Sequence, residues 1–524
     1  MKMMNRIVIS FIFVLLLTVS VMAQGNPEAN LNQIEKKLDW VLYRLNLEQW
    51  HQYTTGQADS LEFYSNLYDY ILNSDELKKL LGPDRKSFTK QVDMRRLDLL
   101  ESSQLSTSIE NEYEITQLRD SLFNLNRTFR PQMDGETTTT GAVYQLYRTD
   151  NNPQRREAGY RSYVSVGTNM QDGLTRLIKL RNKAAADLGY NNYLNIVFKE
   201  QNLSLDDYAK LLRELSEKSD QAYRNILERM KTNLRKNDLE IWDIAYAHKN
   251  IASRVDQFFP VDSQMVYVSN SLKDIGFNLD KMPIYYDLES RPEKSEFAYA
   301  FPIKPPDDMR VLANLVNGYQ SCKILMHEIG HTVHFAKIKQ DEPLFYHMTN
   351  SIWVEGMAQT LAGLMKESAW LQQYAHVPEA DANSFVDTQK ELGIVYLRTT
   401  LLRLTFELEA YKNPNRDLNQ LYWTLFEQYM YLPKHTDLYP WASIIHYTTH
   451  PVYLQNYLYA DMIAAQSLAF IGEMYEGQLF KRTTGSFLNQ NFYRFGSRYD
   501  WKDLFDRGIG EELDPGYFLN QLGL

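Results

Sequence analysis

The chain has 524 residues, 44% of them hydrophobic, one cysteine and a formal net charge of −10, with a mean hydropathy of −0.46. That composition describes a globular protein able to bury a large core, as one big domain or two lobes. The acidic balance and the lack of any DNA- or RNA-reading motif exclude nucleic acid as a partner, because phosphate binding needs a basic surface, and the lone Cys322 excludes an intramolecular disulfide.

At the N-terminus, Lys2 and Arg6 precede an apolar run from Ile7 to Val21, and Val21-Met22-Ala23 stands before Gln24. This is the layout of a cleaved secretory signal over 1–23. The alternative is an uncleaved anchor, but the run falls short of the ~20 residues a spanning helix needs. The expectation is a secreted or periplasmic protein, free of the membrane after cleavage, with 24–524 forming one domain.

From Leu31 to Phe123 the rhythm is mostly helical, as where Leu38, Val41, Leu42 and Leu45 recur at three and four spacing. Glu136 to Gly141 reads as a loop and Asn151 to Gln154 as a turn. Helices are predicted over Met170–Gly189 and Ser204–Arg235, the second with Ser204 as N-cap and Asp207 reaching back to it. Between Pro260 and Pro306 the helical rhythm breaks, and Phe297-Ala298-Tyr299-Ala300-Phe301 is the place for a small sheet. Helices resume from Met309 to about Leu468. No repeat or low-complexity tract interrupts the chain.

Within that last stretch, His327-Glu328-Ile329-Gly330-His331 lies on a proline-free helical run, Ser321–Ala336, and Glu355 opens the next helical stretch. Residues four apart stand nearly above one another on a helix, so His327 and His331 can hold one ion. Glu328 is rotated by about 100° from His327 and can reach a water beside that ion without being a ligand. Two imidazoles and a carboxylate leave Zn²⁺ an open position, where bound water falls from a pKa of roughly 15.7 to about 7. Gly330 allows another backbone to approach closely. The competing reading is a pair of core histidines with Glu328 in solvent. Cys322 reads as a small buried apolar residue, and His334 and His347 as core or surface residues rather than ligands.

The 23-residue gap between His331 and Glu355 resembles that of the gluzincin peptidases, most closely the angiotensin-converting-enzyme family of peptidyl-dipeptidases. So do Asp308-Met309-Arg310-Val311 through Phe335, and Arg181-Asn182-Lys183-Ala184-Ala185-Ala186-Asp187-Leu188-Gly189-Tyr190. The likeness runs from about 140 to 465, and the thimet oligopeptidase family is its near neighbour. It implies a mainly α, large two-lobed helical peptidase with a deep central cleft, a small β element near the zinc site, and short peptides as substrates. By matching position, His327, His331 and Glu355 would be zinc ligands and Glu328 the general base.

Further along, His446 and Tyr453 match the family's histidine and tyrosine in register, and Tyr457 matches its last tyrosine if one residue is inserted; Asn456 stands there otherwise. His446 and Tyr457 are the expected oxyanion donors, with Tyr453 lining the primed side and His450 the competing histidine. Ala298, in Ser295-Glu296-Phe297-Ala298-Tyr299, marks the strand that would hold substrate. Departures from the family pattern are the strand's sequence, Ile444 in place of a lysine before His446, Gln455 in place of an arginine tied to chloride, and Gln359 in place of an aspartate behind a ligand imidazole. The expected activity is dipeptidyl carboxypeptidase-like hydrolysis. Endo-oligopeptidase action, or a catalytically silent peptide-binding protein, is the alternative, and an aminopeptidase lacks its motif here.

Overall fold

The structure is a computed structural model and describes residues 26–249 and 253–524. The proposed signal over 1–23 lies outside the described residues. Helices dominate throughout, as expected. The helices that build the site are labelled in chain order: α1 (Pro27–Thr55), α2 (Val166–Asp187), α3 (Tyr319–Lys337), α4 (Ser351–Gly363), α5 (Glu379–Lys412), α6 (Ile445–Thr449) and α7 (Gln455–Met474). No helix among the described residues is long and apolar enough to cross a membrane.

Several local expectations shift. Ser204 caps its helix through a bond from the Asp207 N–H, but Asp207 makes no return bond; its side chain is a methylene shorter than the glutamate that usually closes this box. The segment Glu136–Gly141 is divided between a hairpin strand, Glu136–Thr137, and a helix that Thr139 caps. Val261–Asp274 is helical despite lying between prolines, since Pro260 sits at the N-cap, where its missing N–H costs nothing. Met309 belongs to a strand, and the helices resume only at Tyr319.

Three strands form the small sheet near the site: β1 (Ile284–Asp287), β2 (Tyr299–Lys304) and β3 (Asp308–Leu312). Their order is β1-β3-β2, with β1 parallel and β2 antiparallel to β3. The β-prone run Phe297–Phe301 therefore lands on β2, two residues early. One face of β2 presents Phe301 and Ile303 to Trp50 of α1, burying all three. Asn46 of α1 also donates to the Pro302 carbonyl at 2.8 Å.

Helix α3 forms because Cys322, Leu325, Met326, Ile329 and Val333 make a continuous apolar stripe, all fully buried. Lys323, His327 and His331 follow a second stripe on the same helix. Against α3 lies α4, so close that a Cβ on Gly330 would stand 2.9 Å from the Ala358 Cα. That is the close approach expected of Gly330. On its other side α4 meets α7, where a Cβ on Gly356 would strike Ile463 at 2.9 Å. The result is three helices in one layer, with α4 in the middle.

Candidate metal centre and peptide site

Because α3 and α4 touch at Gly330, the carboxylate of Glu355 reaches the two histidines. One ligand atom from each of His327, His331 and Glu355 lies within 4.8 Å of the others. The two Nε2 atoms are 3.1 Å apart, and Glu355 Oε2 stands 3.3 Å from His327 Nε2 and 3.8 Å from His331 Nε2. Glu355 Oε2 is buried with no hydrogen-bond donor. A buried carboxylate oxygen left unpaired is costly, and here it converges with two ring nitrogens on one point. The donor set, two imidazoles and a carboxylate, therefore fits a transition-metal ion of the zinc type.

The other oxygen of Glu355 accepts a hydrogen bond from Tyr453 Oη at 2.8 Å, which fixes the carboxylate's rotation. Burial draws His331 down to about 4, with His327 adding to the effect, so its ring is neutral, as a ligand must be. Glu328 stands beside this group and is pushed up to about 7, mainly by burial and then by the charge of Glu355, against the opposing pull of His327. The Ala300 backbone amide of β2 also faces its carboxylate, and Tyr299 lies near enough to feel its charge. His327 and Glu328 keep part of their surface open, while Ile329 and Val333 do not. Tyr396 of α5, 52% exposed, still feels the charges of Asp461 and Glu355. Tyr396 thus stands open to solvent within electrostatic range of the metal group.

The chain from His446 to Tyr457 adds a row of rings within reach of the Glu355 charge. His446 and Tyr457 have ring centres 6.1 Å apart, Tyr453 and Tyr457 5.5 Å, and His450 and Tyr453 5.8 Å. Burial pulls His446 down to about 4, helped by His450 and by Arg403 of α5, so it is a neutral ring with one N–H to donate. Burial and the charge of Glu355 push the Tyr457 hydroxyl up, so it keeps its proton. Asn456, the competing position, is fully buried and accepts from Gln201 at 3.0 Å. Tyr457 is therefore the residue on the site side of α7. His450 is exposed at the rim and contacts Thr449, and Ala298 is half-buried just ahead of β2.

This segment is anchored by α2. Arg181 of α2, fully buried, pairs with Glu110 at 2.8 Å and donates to the carbonyls of Tyr447 and Thr448 at 3.0 and 2.8 Å. Asn182 donates to the Tyr411 carbonyl and accepts the Tyr193 N–H. Arg181 thus ties α2 to the segment that carries His446, and Asn182 ties it to the end of α5 and to Tyr193.

Three expectations take a definite form. Gln359 makes no bond to an imidazole; its amide donates to Asp461 at 2.6 Å, because its place on α4, one turn past Glu355, turns it toward α7. His334 is buried beside Phe335 and Tyr493, and His347 pairs with Asp39 at 2.9 Å, so neither joins the metal group. Cys322 is fully buried, and burial pushes its thiol up. Sequence reasoning missed Tyr299, Lys323, Tyr396, Arg403 and Asp461. Of these, Lys323 and Asp461 each stand four residues from a site residue on the same helix, which was the available signal.

The fold has clear relatives. A structure of PZ peptidase A with an inhibitor superposes with a TM-score of 0.70 at 13% identity, covering 96% of each chain. Pyrococcus furiosus carboxypeptidase gives 0.67 at 14% identity, over 96% of this chain and 99% of that one. Trypanosoma cruzi metallocarboxypeptidase 1 gives 0.61 at 14%, over 95% and 98%. At such identities the likeness shows the fold alone, a mainly helical, two-lobed one. No curated protein matches the chain. The profile of peptidase family M3 matches residues 146–524. With that match, the resemblance resolves to the near neighbour rather than to the angiotensin-converting-enzyme family, and the chain belongs to peptidase family M3, a family of zinc metallopeptidases.

Proposed function

We propose that this chain is a zinc peptidase that shortens oligopeptides from the C-terminus, releasing dipeptides. The observation that carries the reading is the convergence of His327, His331 and Glu355 within 4.8 Å of one another, with the Glu328 carboxyl alongside. Zinc held there would acidify a water and polarise the scissile carbonyl.

The chain's own groups do the rest. Glu328 accepts the proton of the attacking water and returns it to the leaving amine, a task that suits a carboxyl near pH 7. His446 and Tyr457, both protonated neutral donors, face the carbonyl oxygen as it gains charge. One such donor typically contributes about 3–4 kcal/mol to lowering the barrier. Tyr453 orients Glu355, and with His450 and Ala298 it borders the bound peptide. β2 is an edge strand of its sheet, so an extended peptide has backbone groups to pair with there. The domain proposed over 24–524 would act outside the cytoplasm, directed by the signal proposed over 1–23.

The endo-oligopeptidase alternative draws on one observation: Ile444 stands where a cation would precede His446.

Glu328→Gln is the test. It should leave one zinc per chain by elemental analysis and lower kcat by about 100- to 10,000-fold; unchanged turnover would remove Glu328 as the base. Mass spectrometry of digests of peptides blocked at either end distinguishes dipeptide release from internal cleavage.

A further inference from the structure

One turn away from the metal group, the same three helices bring together a second set of polar side chains. Lys323 precedes His327 by four residues on α3, Gln359 follows Glu355 by four on α4, and Asp461 follows Tyr457 by four on α7. Residues at that spacing stand nearly in line, about 6 Å apart along the axis. Two of them meet directly: Gln359 donates to Asp461 Oδ1 at 2.6 Å, and Lys366, just past α4, has its Nζ 4.0 Å from the same oxygen.

Lys323 is the anomaly in this set. Its Nζ has no hydrogen-bond or ion-pair partner among the described residues. It is half-buried, and burial together with the charge of Lys366 pulls it down to about 8, against the weaker attraction of Asp461. The carboxylate whose charge reaches it, Asp461, is already engaged by Gln359 and Lys366. Lys323 is thus a half-buried cation with no direct partner, an arrangement that an anion arriving from outside would relieve.

The spacing says which anion. An extended peptide advances about 3.4 Å per residue, so the C-terminal carboxylate of a two-residue leaving fragment lies about 7 Å beyond the scissile carbonyl. Lys323 stands one helical turn from His327, and its side chain leans toward the N-terminal end of α3, away from the ligands. We propose that Lys323, backed by Lys366 across Asp461, receives the free C-terminal carboxylate of the peptide substrate. This takes over the task left open by Ile444 and sets where the peptide is cut. It rests on the peptidase reading and names the substrate class: short peptides with an unmodified C-terminus.

Binding tests it, read before turnover in the active chain and at equilibrium in the Glu328→Gln background. Titrate zinc-loaded wild type, Lys323→Met and Lys323→Arg with one hexapeptide in its free-acid and C-terminally amidated forms, on ice and at short times. In parallel, repeat each titration in the Glu328→Gln background. Wild type should bind the acid about 10- to 100-fold more tightly than the amide. Lys323→Met should erase that preference, and Lys323→Arg should keep most of it. Equal affinity of wild type for both forms, or an equal loss on both in Lys323→Met, overturns the assignment. Failure of zinc-loaded wild type to cleave any peptide would instead sink the peptidase reading, and the acid-over-amide binding difference would still judge Lys323.

Discussion

The backbone N–H of Val452 donates to the carboxylate of Glu407 at 2.7 Å. Val452 sits at φ 54°, a conformation a β-branched residue rarely adopts. Both residues are buried. The Val452 carbonyl accepts from Gln455, which also donates to Gln201 at 3.0 Å. This network holds the bend that aims Tyr453 and Tyr457 at the site.

Burial pushes Glu407 up to about 7, despite the Val452 bond and nearby Arg181. Between pH 4.5 and 7 the folded chain therefore keeps a proton that the unfolded chain releases, and stability falls as pH rises through that window. At about 1.4 kcal/mol per unit the loss is about 3 kcal/mol. Glu407→Gln, still an acceptor for Val452, should raise Tm at pH 8 and leave it nearly unchanged at pH 4.5. Equal shifts at both pH values would show that the carboxyl's titration is irrelevant.

Tyr453→Phe deletes the bond to Glu355 and leaves that carboxylate free to turn. Zinc affinity should fall about 10- to 100-fold, read by competition with a chromogenic chelator. An unaltered affinity would mean that packing alone holds Glu355.

Gly330→Ala places a methyl 2.9 Å from the Ala358 Cα and 3.1 Å from its carbonyl oxygen. Neither is a flexible side-chain tip, so α3 and α4 must part. The expected cost is about 1–3 kcal/mol, with zinc content falling as well. Gly141→Ala, in a helix with nothing near its Cβ, is the control and should stabilise by up to about 1 kcal/mol. Denaturant midpoints for the pair decide the matter.

Arg181→Met leaves Glu110 with the Arg119 guanidinium at 3.4 Å and strands two buried carbonyls. A loss of about 3–5 kcal/mol is expected, visible in urea unfolding. A loss below 1 kcal/mol would show that water replaces the guanidinium.

Chelator treatment should lower Tm, and added zinc should restore it, because an ion that binds only the folded state stabilises by mass action. A melting curve indifferent to chelator would count against the assigned ligands.

The grouping of His327, His331 and Glu355 was legible because helix geometry alone brings the two histidines together, and because a glycine between them signals a close neighbour. The choice of Tyr457 over Asn456 was not, since it depends on where α7 begins. The helix Val261–Asp274 was hidden by prolines that in fact border it. Lys323 escaped notice for a different reason: a lysine on a helix is normally hydrated, and only the surrounding helices show that this one is walled in. Gln359 was placed on the right helix but given the wrong partner, because the sequence does not say that Asp461 of α7 stands opposite.

Tyr53 meets Tyr299 edge-on at 4.7 Å, and Trp50 meets Phe301 at 5.4 Å. These rings of α1 back the very strand whose Ala300 amide faces Glu328, yet they come some ninety residues before the family profile begins at 146. A fragment trimmed to that profile would retain every proposed ligand while stripping the plank behind the strand that faces Glu328. The leading segment is thus a buttress of the site, and expression designs that discard it would forfeit the alignment of the proposed base.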